Sequence, residues 1–153
     1  MSDQDFTAAV RQHMTGFDTL IGLEITEATP TRVRAKLAIS ASHLQIHGIV
    51  HGGVYTCLVE TLGSIGGALA ARAHGRTVVG VENHTSFLKA ATEGTLSAVA
   101  EPVTAGRRTQ VWSTQIRNDQ GQLLATGQLR LLCIEPGSIP NATPQPAGSP
   151  FRL

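Results

Sequence analysis

Residues 51–71 read HGGVYTCLVETLGSIGGALAA, and their patterning decides the fold. From Gly52 to Ala71 the only charged side chain is that of Glu60. A helix on the surface carries a polar face, whereas one that is apolar almost all round is buried. Val54, Leu58, Leu62, Ile65 and Leu69 share one side at helical spacing, which suits packing on a sheet. The pattern predicts a long core helix over 52–73. Strands flank it. Leu20–Thr29 and Thr31–Ser40 are rich in Ile, Val and Thr and surround a turn at Pro30. Arg32, Arg34 and Lys36 alternate with Val33, Ala35 and Leu37, giving a half-buried strand with a charged outer face. Four more strand-like runs follow at 77–89, 94–104, 108–118 and 122–134, the last two joined by a hairpin turn at 118–121. A helix over 3–14, with Phe6, Val10 and Met14 on one stripe, comes first, and Gly16 is expected to end it. Runs of strands, rather than strands alternating with helices, give an α+β class with one long helix against an antiparallel sheet. Residues 1–135 read as one domain. Residues 136–153 hold five of the seven prolines and are expected to be extended or disordered.

Composition narrows the function classes. The chain has 153 residues, enough to bury roughly two-thirds of its unfolded surface without a disulfide or metal staple. Only 4% of residues are aromatic, so the core is expected to be small-residue and tightly spaced. The net charge of +1, with basic residues no denser than pairs, argues against nucleic-acid binding and a polybasic membrane patch. Cys57 and Cys133 form no CxxC pair, which excludes a disulfide scaffold or zinc ribbon and makes a reducing, cytoplasmic compartment the default. The start MSDQDF has no apolar signal-peptide core, and the charge-free run 61–71 is too short to span a bilayer. His43, His47 and His51 recur every four residues, but glycines interrupt a helix there and no fourth ligand lies near. No metal site is expected. There is no GxSxG elbow and no GxGxxG loop after a strand.

The chemistry concentrates on the central helix. Glu60 is flanked at helical spacing by Thr56, Cys57, Gly63 and Ser64, a small and accessible face. A carboxylate desolvated beside such a face has the profile of a tuned base or nucleophile. At the helix start, His51-Gly52-Gly53 offers backbone N–H groups without intrahelical acceptors, and glycine lets an oxygen approach closely. That is an oxyanion-hole candidate. Gly52 and Glu60 are eight residues apart, or about 12 Å along the helix. One carbonyl carbon cannot reach both in one chain. Two antiparallel helices related by a two-fold axis near Thr56 would bring Gly52 of one chain to Glu60 of the other. A homodimer with two shared sites follows, and Gly63, Gly66 and Gly67 would permit close backbone approach.

The run from Gln45 to Ser64, QIHGIVHGGVYTCLVETLGS, resembles the hotdog-fold acyl-CoA thioesterases, specifically the PaaI-like branch that includes hydroxybenzoyl-CoA thioesterases of the Arthrobacter type. VGVENH at 79–84 and GRRTQVW at 106–112 extend the resemblance, which covers roughly residues 16–134. It implies a hotdog fold, a long helix wrapped by an antiparallel sheet, assembled as a homodimer and often as a dimer of dimers. It implies hydrolysis of acyl-CoA thioesters. Glu60 would take the catalytic carboxylate position, attacking directly or activating water. Gly52 would polarise the thioester carbonyl, His51 and Gln45 would orient the carbonyl or the water, and Ser64 would help place that water. Ser86 and Phe87 stand where some relatives carry polar or His residues in the acyl pocket, so acyl preference stays open. Coenzyme A belongs to the substrate and no separate cofactor is expected. Its phosphates call for cations at the pocket mouth, for which Lys89, Arg107 and Arg108 are the candidates. Two other readings remain: a hotdog hydratase or dehydratase pairing His51 with Glu60, and a non-catalytic acyl-CoA-binding protein.

Overall fold

A computed structural model describes residues 4–140 together with Ala142, Thr143, Ser149 and Phe151. The order is α1 (Thr7–His13), α2 (Gly16–Leu20), β1 (Glu24–Ala28), β2 (Val33–Ala38), a 3-10 turn (Ala41–His43), α3 (Gly52–Ala71) running on into a second 3-10 turn (Arg72–His74), β3 (Thr77–Phe87), β4 (Thr95–Ala105), β5 (Thr109–Arg117) and β6 (Leu123–Ile134). The strands form one antiparallel sheet in the order β1-β2-β4-β5-β6-β3. The α+β arrangement expected from the order of helix and strands is therefore present. Helix α3 lies across one face of the sheet and touches β2 through β6.

The alternation read in the sequence places the strands. In β2, Val33, Ala35 and Leu37 are buried while Arg34 and Lys36 are exposed. The helix expected over 3–14 is confined to 7–13, with Val10 fully buried on it and Phe6 and Met14, at its two caps, half-buried against the core. Gly16 does not end a helix but begins one. Its φ of +62° lets the chain turn sharply after α1 and enter the five-residue α2. Leu20 closes that helix, so the first strand starts four residues later than expected.

Leu58, Leu62 and Leu69 are buried against the sheet, as their spacing predicts. The glycines of α3 serve a different neighbour from the one expected. A Cβ on Gly66 would lie 2.4 Å from the Trp112 ring, one on Gly67 2.2 Å from Leu131, and one on Gly63 2.8 Å from Leu129. These glycines admit side chains of the chain's own sheet, not a partner helix. Trp112 is fully buried, and its Nε1–H donates to Gln110 Oε1 at 2.8 Å. Gln110 Nε2 in turn donates to the Gly67 carbonyl at 3.1 Å. A core short of aromatics thus seats its single Trp in a glycine-lined groove, with its one polar atom satisfied.

The stretch Gly52–His74 is long and apolar enough to cross a bilayer, yet 72% of its most apolar window is buried inside the fold. Much of the tail expected to be extended lies outside the described residues, but Ser149 is buried and Phe151 packs on the core. Strand β3 is an edge strand, bonded only to β6, and its register shifts between Gly80 and Glu82.

Candidate active site

His51 caps α3. Its backbone is extended, and its Nδ1 accepts from the Gly53 N–H at 2.8 Å. The Val54 N–H donates to the His51 carbonyl at 2.9 Å. The Gly52 N–H between them has no acceptor among the described residues. It stands at the positive end of a 20-residue helix. A side chain at position 52 would collide with Phe87, whose ring would lie 2.9 Å from the Cβ. Gly52 shares a cleft of about 270 Å³ with Gln45, Tyr55, Phe87 and Lys89. Gln45 Oε1 accepts from the His47 N–H, which holds the loop before the helix. The Tyr55 and Phe87 rings stand 6.1 Å apart. The Tyr55 hydroxyl is buried without a hydrogen-bond partner among the described residues, and burial raises its pKa.

Glu60 lies two turns further along α3 and is half-buried rather than enclosed. It opens onto a different cleft, of about 400 Å³, with Ser64 one turn beyond and Asp18, Thr61, Ile65 and Phe151 among the lining residues. Its Oε2 accepts from Asn83 Nδ2 at 3.1 Å. Its Oε1 stands over Gly80, where a Cβ would come within 2.7 Å. The strand irregularity beside Gly80 sits next to this carboxylate, where bulges often re-aim a functional group.

One chain therefore holds its candidate residues in two separate halves. Gly52, Gln45 and Lys89 line one cleft at the start of α3, with His51 capping the helix beside them, while Glu60 and Ser64 line a second cleft. A backbone amide beside the first half and a carboxylate in the second are the parts that acyl transfer uses to stabilise an oxyanion and deliver a nucleophile. A thioesterase superfamily model matches residues 47–125, the segment holding both. The chain belongs to the thioesterase superfamily.

Relatives agree on the chemistry at that level. A Mycobacterium tuberculosis protein provisionally assigned as an esterase is 39% identical over 121 residues, covering 78% of this chain and 86% of that protein. Its solved structure superposes with a TM-score of 0.76 and covers 96% of that chain. The proofreading thioesterase EntH of Cronobacter turicensis is 34% identical over 109 residues, covering 71% of this chain and 79% of EntH. A Haemophilus influenzae thioesterase structure has a TM-score of 0.76 at 30% identity, covering 82% of this chain and 87% of the other. Escherichia coli PaaI, at 22% identity and a TM-score of 0.72, shares the fold.

In this thioesterase-superfamily chain the cations expected to meet coenzyme A do not gather. Lys89 is exposed on the rim of the Gly52 cleft. Arg107 and Arg108 are exposed in the β4–β5 turn, next to Thr109, which pairs with Leu132. Phe87, close to Lys89, pairs with Ala125 at the other end of β6, roughly 20 Å away at strand spacing. The pairing of His51 with Glu60 that a hydratase would need does not form within the chain, since they are nine residues apart on or next to one helix, about 13 Å.

His43 is committed to structure. Its Nδ1 accepts from the Ser40 N–H at 2.9 Å, and its Nε2 faces the Ile21 carbonyl at 2.8 Å, where it can donate. No cluster suited to a metal occurs among the described residues. Cys57 lies one turn from Glu60, but burial first, then the nearby Asp18 and Glu60 carboxylates, push its thiol up to about 11. It is a poor nucleophile at neutral pH. Two residues beside Glu60 escaped sequence reasoning as site residues: Gly80, which leaves room for the carboxylate, and Asn83, which bonds it.

Proposed function

We propose that the chain hydrolyses acyl-CoA thioesters to a free acid and coenzyme A at sites shared between two copies. The observation that carries this reading is the split of the machinery between two clefts of one chain, an unpaired Gly52 N–H in one and Glu60 in the other. Both halves border edge strand β3: Gly52 lies under Phe87, and Glu60 lies over Gly80 and beside Asn83. A two-fold axis through the middle of that edge, near Asn83 and His84, brings Glu60 of each chain toward Gly52 of the other. Pairing also covers an unbonded strand edge.

In such a site the thioester oxygen points at the Gly52 N–H and the helix start, which stabilise the negative charge of the tetrahedral intermediate. Glu60 either attacks the carbonyl carbon, giving an anhydride that water then opens, or removes a proton from the attacking water. The carbon–sulfur bond breaks, the thiol leaves with a proton, and the acyl group departs as a carboxylic acid. Label found in Glu60 after single-turnover hydrolysis in heavy-oxygen water identifies the anhydride route, because a general base never takes up solvent oxygen. In this reading Gln45 and the helix-capping His51 would orient the carbonyl, Ser64 would help place the water, and Lys89, on the rim of the Gly52 cleft, would meet a coenzyme A phosphate. Arg107 and Arg108 lie at the Thr77 end of the sheet, the end that the same two-fold axis turns toward Lys89 of the other chain. Free Cys57 and Cys133 suit a cytoplasmic setting.

The test is thiol release from aryl-, medium-chain and long-chain acyl-CoAs by the wild type and by Glu60→Gln. Turnover of at least one class by the wild type, lowered by ~100-fold or more in Glu60→Gln with the melting temperature retained, is the expected result. Undiminished turnover in that variant removes Glu60 from the reaction.

A further inference from the structure

We infer that Asn83 is a positioning residue for the Glu60 carboxylate, with Thr85 locking its amide. The inference rests on the reading of Glu60 as the catalytic carboxylate. Asn83 is half-buried on β3, facing α3. Its Nδ2 lies 3.2 Å from the Thr56 backbone carbonyl and 3.1 Å from Glu60 Oε2. A backbone carbonyl can only accept, so the amide nitrogen, not its oxygen, must face α3. The two hydrogens of that nitrogen then have separate destinations, one on the helix backbone and one on the carboxylate. The Asn83 Oδ1, turned the other way, accepts from the Thr85 hydroxyl at 2.8 Å. Every contact is of the right polarity for this orientation, and a flipped amide would lose both contacts to α3, keeping only the one to Thr85, whose hydroxyl can accept as well as donate.

The consequence falls on Glu60. Its side chain has several rotatable bonds, and a free carboxylate would sample many positions over the cleft. Asn83 holds Oε2. Oε1 has no hydrogen-bond partner among the described residues and stands over the bare Cα of Gly80. One oxygen is anchored and the other is left to react. The anchor is itself fixed to the helix that carries Glu60, because Thr56 is one turn before it. Strand and helix therefore set the carboxylate position together, and holding a reacting group in place is worth orders of magnitude in rate.

A purely structural tie between β3 and α3 is the competing role, and kinetics separate the two. Steady-state thiol release is measured on the fastest member of the acyl-CoA panel with full-length protein. Asn83→Ala is expected to lower kcat by roughly 10- to 100-fold with KM changed by less than about threefold. In the Glu60→Gln background the same substitution is expected to lower the residual rate by less than about twofold, because its effect acts through a group already lost. Thr85→Val leaves Asn83 intact and keeps the test alive should Asn83→Ala not fold. It is expected to lower kcat by roughly 3- to 10-fold, with Thr85→Ser restoring the wild-type value. If Glu60→Gln is inactive while Asn83→Ala and Thr85→Val keep kcat within about twofold, the positioning role is overturned and the catalytic reading stands. Equal fold losses on adding Asn83→Ala to the wild type and to Glu60→Gln also overturn it. Full activity of Glu60→Gln, or no turnover of any acyl-CoA, overturns the catalytic reading and the inference with it.

Discussion

Gly80→Ala separates the geometry of the carboxylate from the stability of the fold. Gly80 is exposed on edge strand β3, and a Cβ there would stand 2.7 Å from Glu60 Oε1. Ordinary contact needs about 3.5 Å, so Oε1 must retreat by roughly 0.8 Å. The group that moves is the end of a flexible side chain, so the stability cost is small. Replacing glycine by alanine in extended backbone also narrows the unfolded ensemble, which favours folding by about 0.4–1 kcal/mol. The melting temperature should therefore stay level or rise slightly. Activity should not. A displacement near 1 Å at a reacting group costs up to about 100-fold, so kcat should fall by roughly 10- to 100-fold. Thiol release from an acyl-CoA gives kcat and KM, and thermal unfolding followed by circular dichroism gives stability. An unchanged kcat refutes the placement of Glu60 Oε1 as the reacting atom. A lost kcat together with a melting temperature lower by more than about 5 °C shows that the alanine damaged the strand, and refutes the decoupling.

Gly66→Ala is the structural counterpart. Its Cβ would press within 2.4 Å of the fully buried Trp112 ring, which has nowhere to go. Overpacking of about 1–3 kcal/mol outweighs the ~1 kcal/mol helix gain of alanine, so thermal or urea unfolding should show a net loss of stability. Cys57→Ala should keep kcat within about twofold, because burial denies the thiol a catalytic role. With a thiol pKa of about 11, the thiolate fraction at pH 8 is on the order of one in a thousand. This pKa is raised, so reactivity grows as pH rises toward it, and iodoacetamide should label Cys57 slowly at pH 8 and faster at pH 10.

The sequence made the architecture legible where periodicity is long. The helix from Gly52 shows itself because twenty residues carry one charge, and β2 shows itself because Arg34 and Lys36 alternate with buried neighbours. Helix α2 is too short for a period, and a glycine with φ of +62° reads as a stop as easily as a start. Gly63, Gly66 and Gly67 announced a close approach without saying of what, since Trp112 and Leu131 are more than forty residues away in the chain. Glu60 and Gly52 stand out in the sequence as candidates because a lone carboxylate in an apolar helix and a glycine pair at a helix start are local signals. Asn83 was not. Within TVVGVENHTSF it reads as one more polar residue on an edge strand, and its meaning lies in a contact made 23 residues away. The cations posed the same problem, since strand ends are visible in a sequence but not which end of the sheet each occupies.

Mixed oligomers of Glu60→Gln and Gln45→Ala test the shared site most directly. The two residues lie in different clefts of one chain. If each site takes Glu60 from one copy and the Gln45–Gly52 half from the other, a heterodimer holds one intact site. Random pairing of equal amounts makes half the dimers mixed, so activity should recover to about one-quarter of the wild type from two preparations that are each impaired. Recovery to that level after co-refolding is the expected result, and a mixture no more active than the average of its parents contradicts the account.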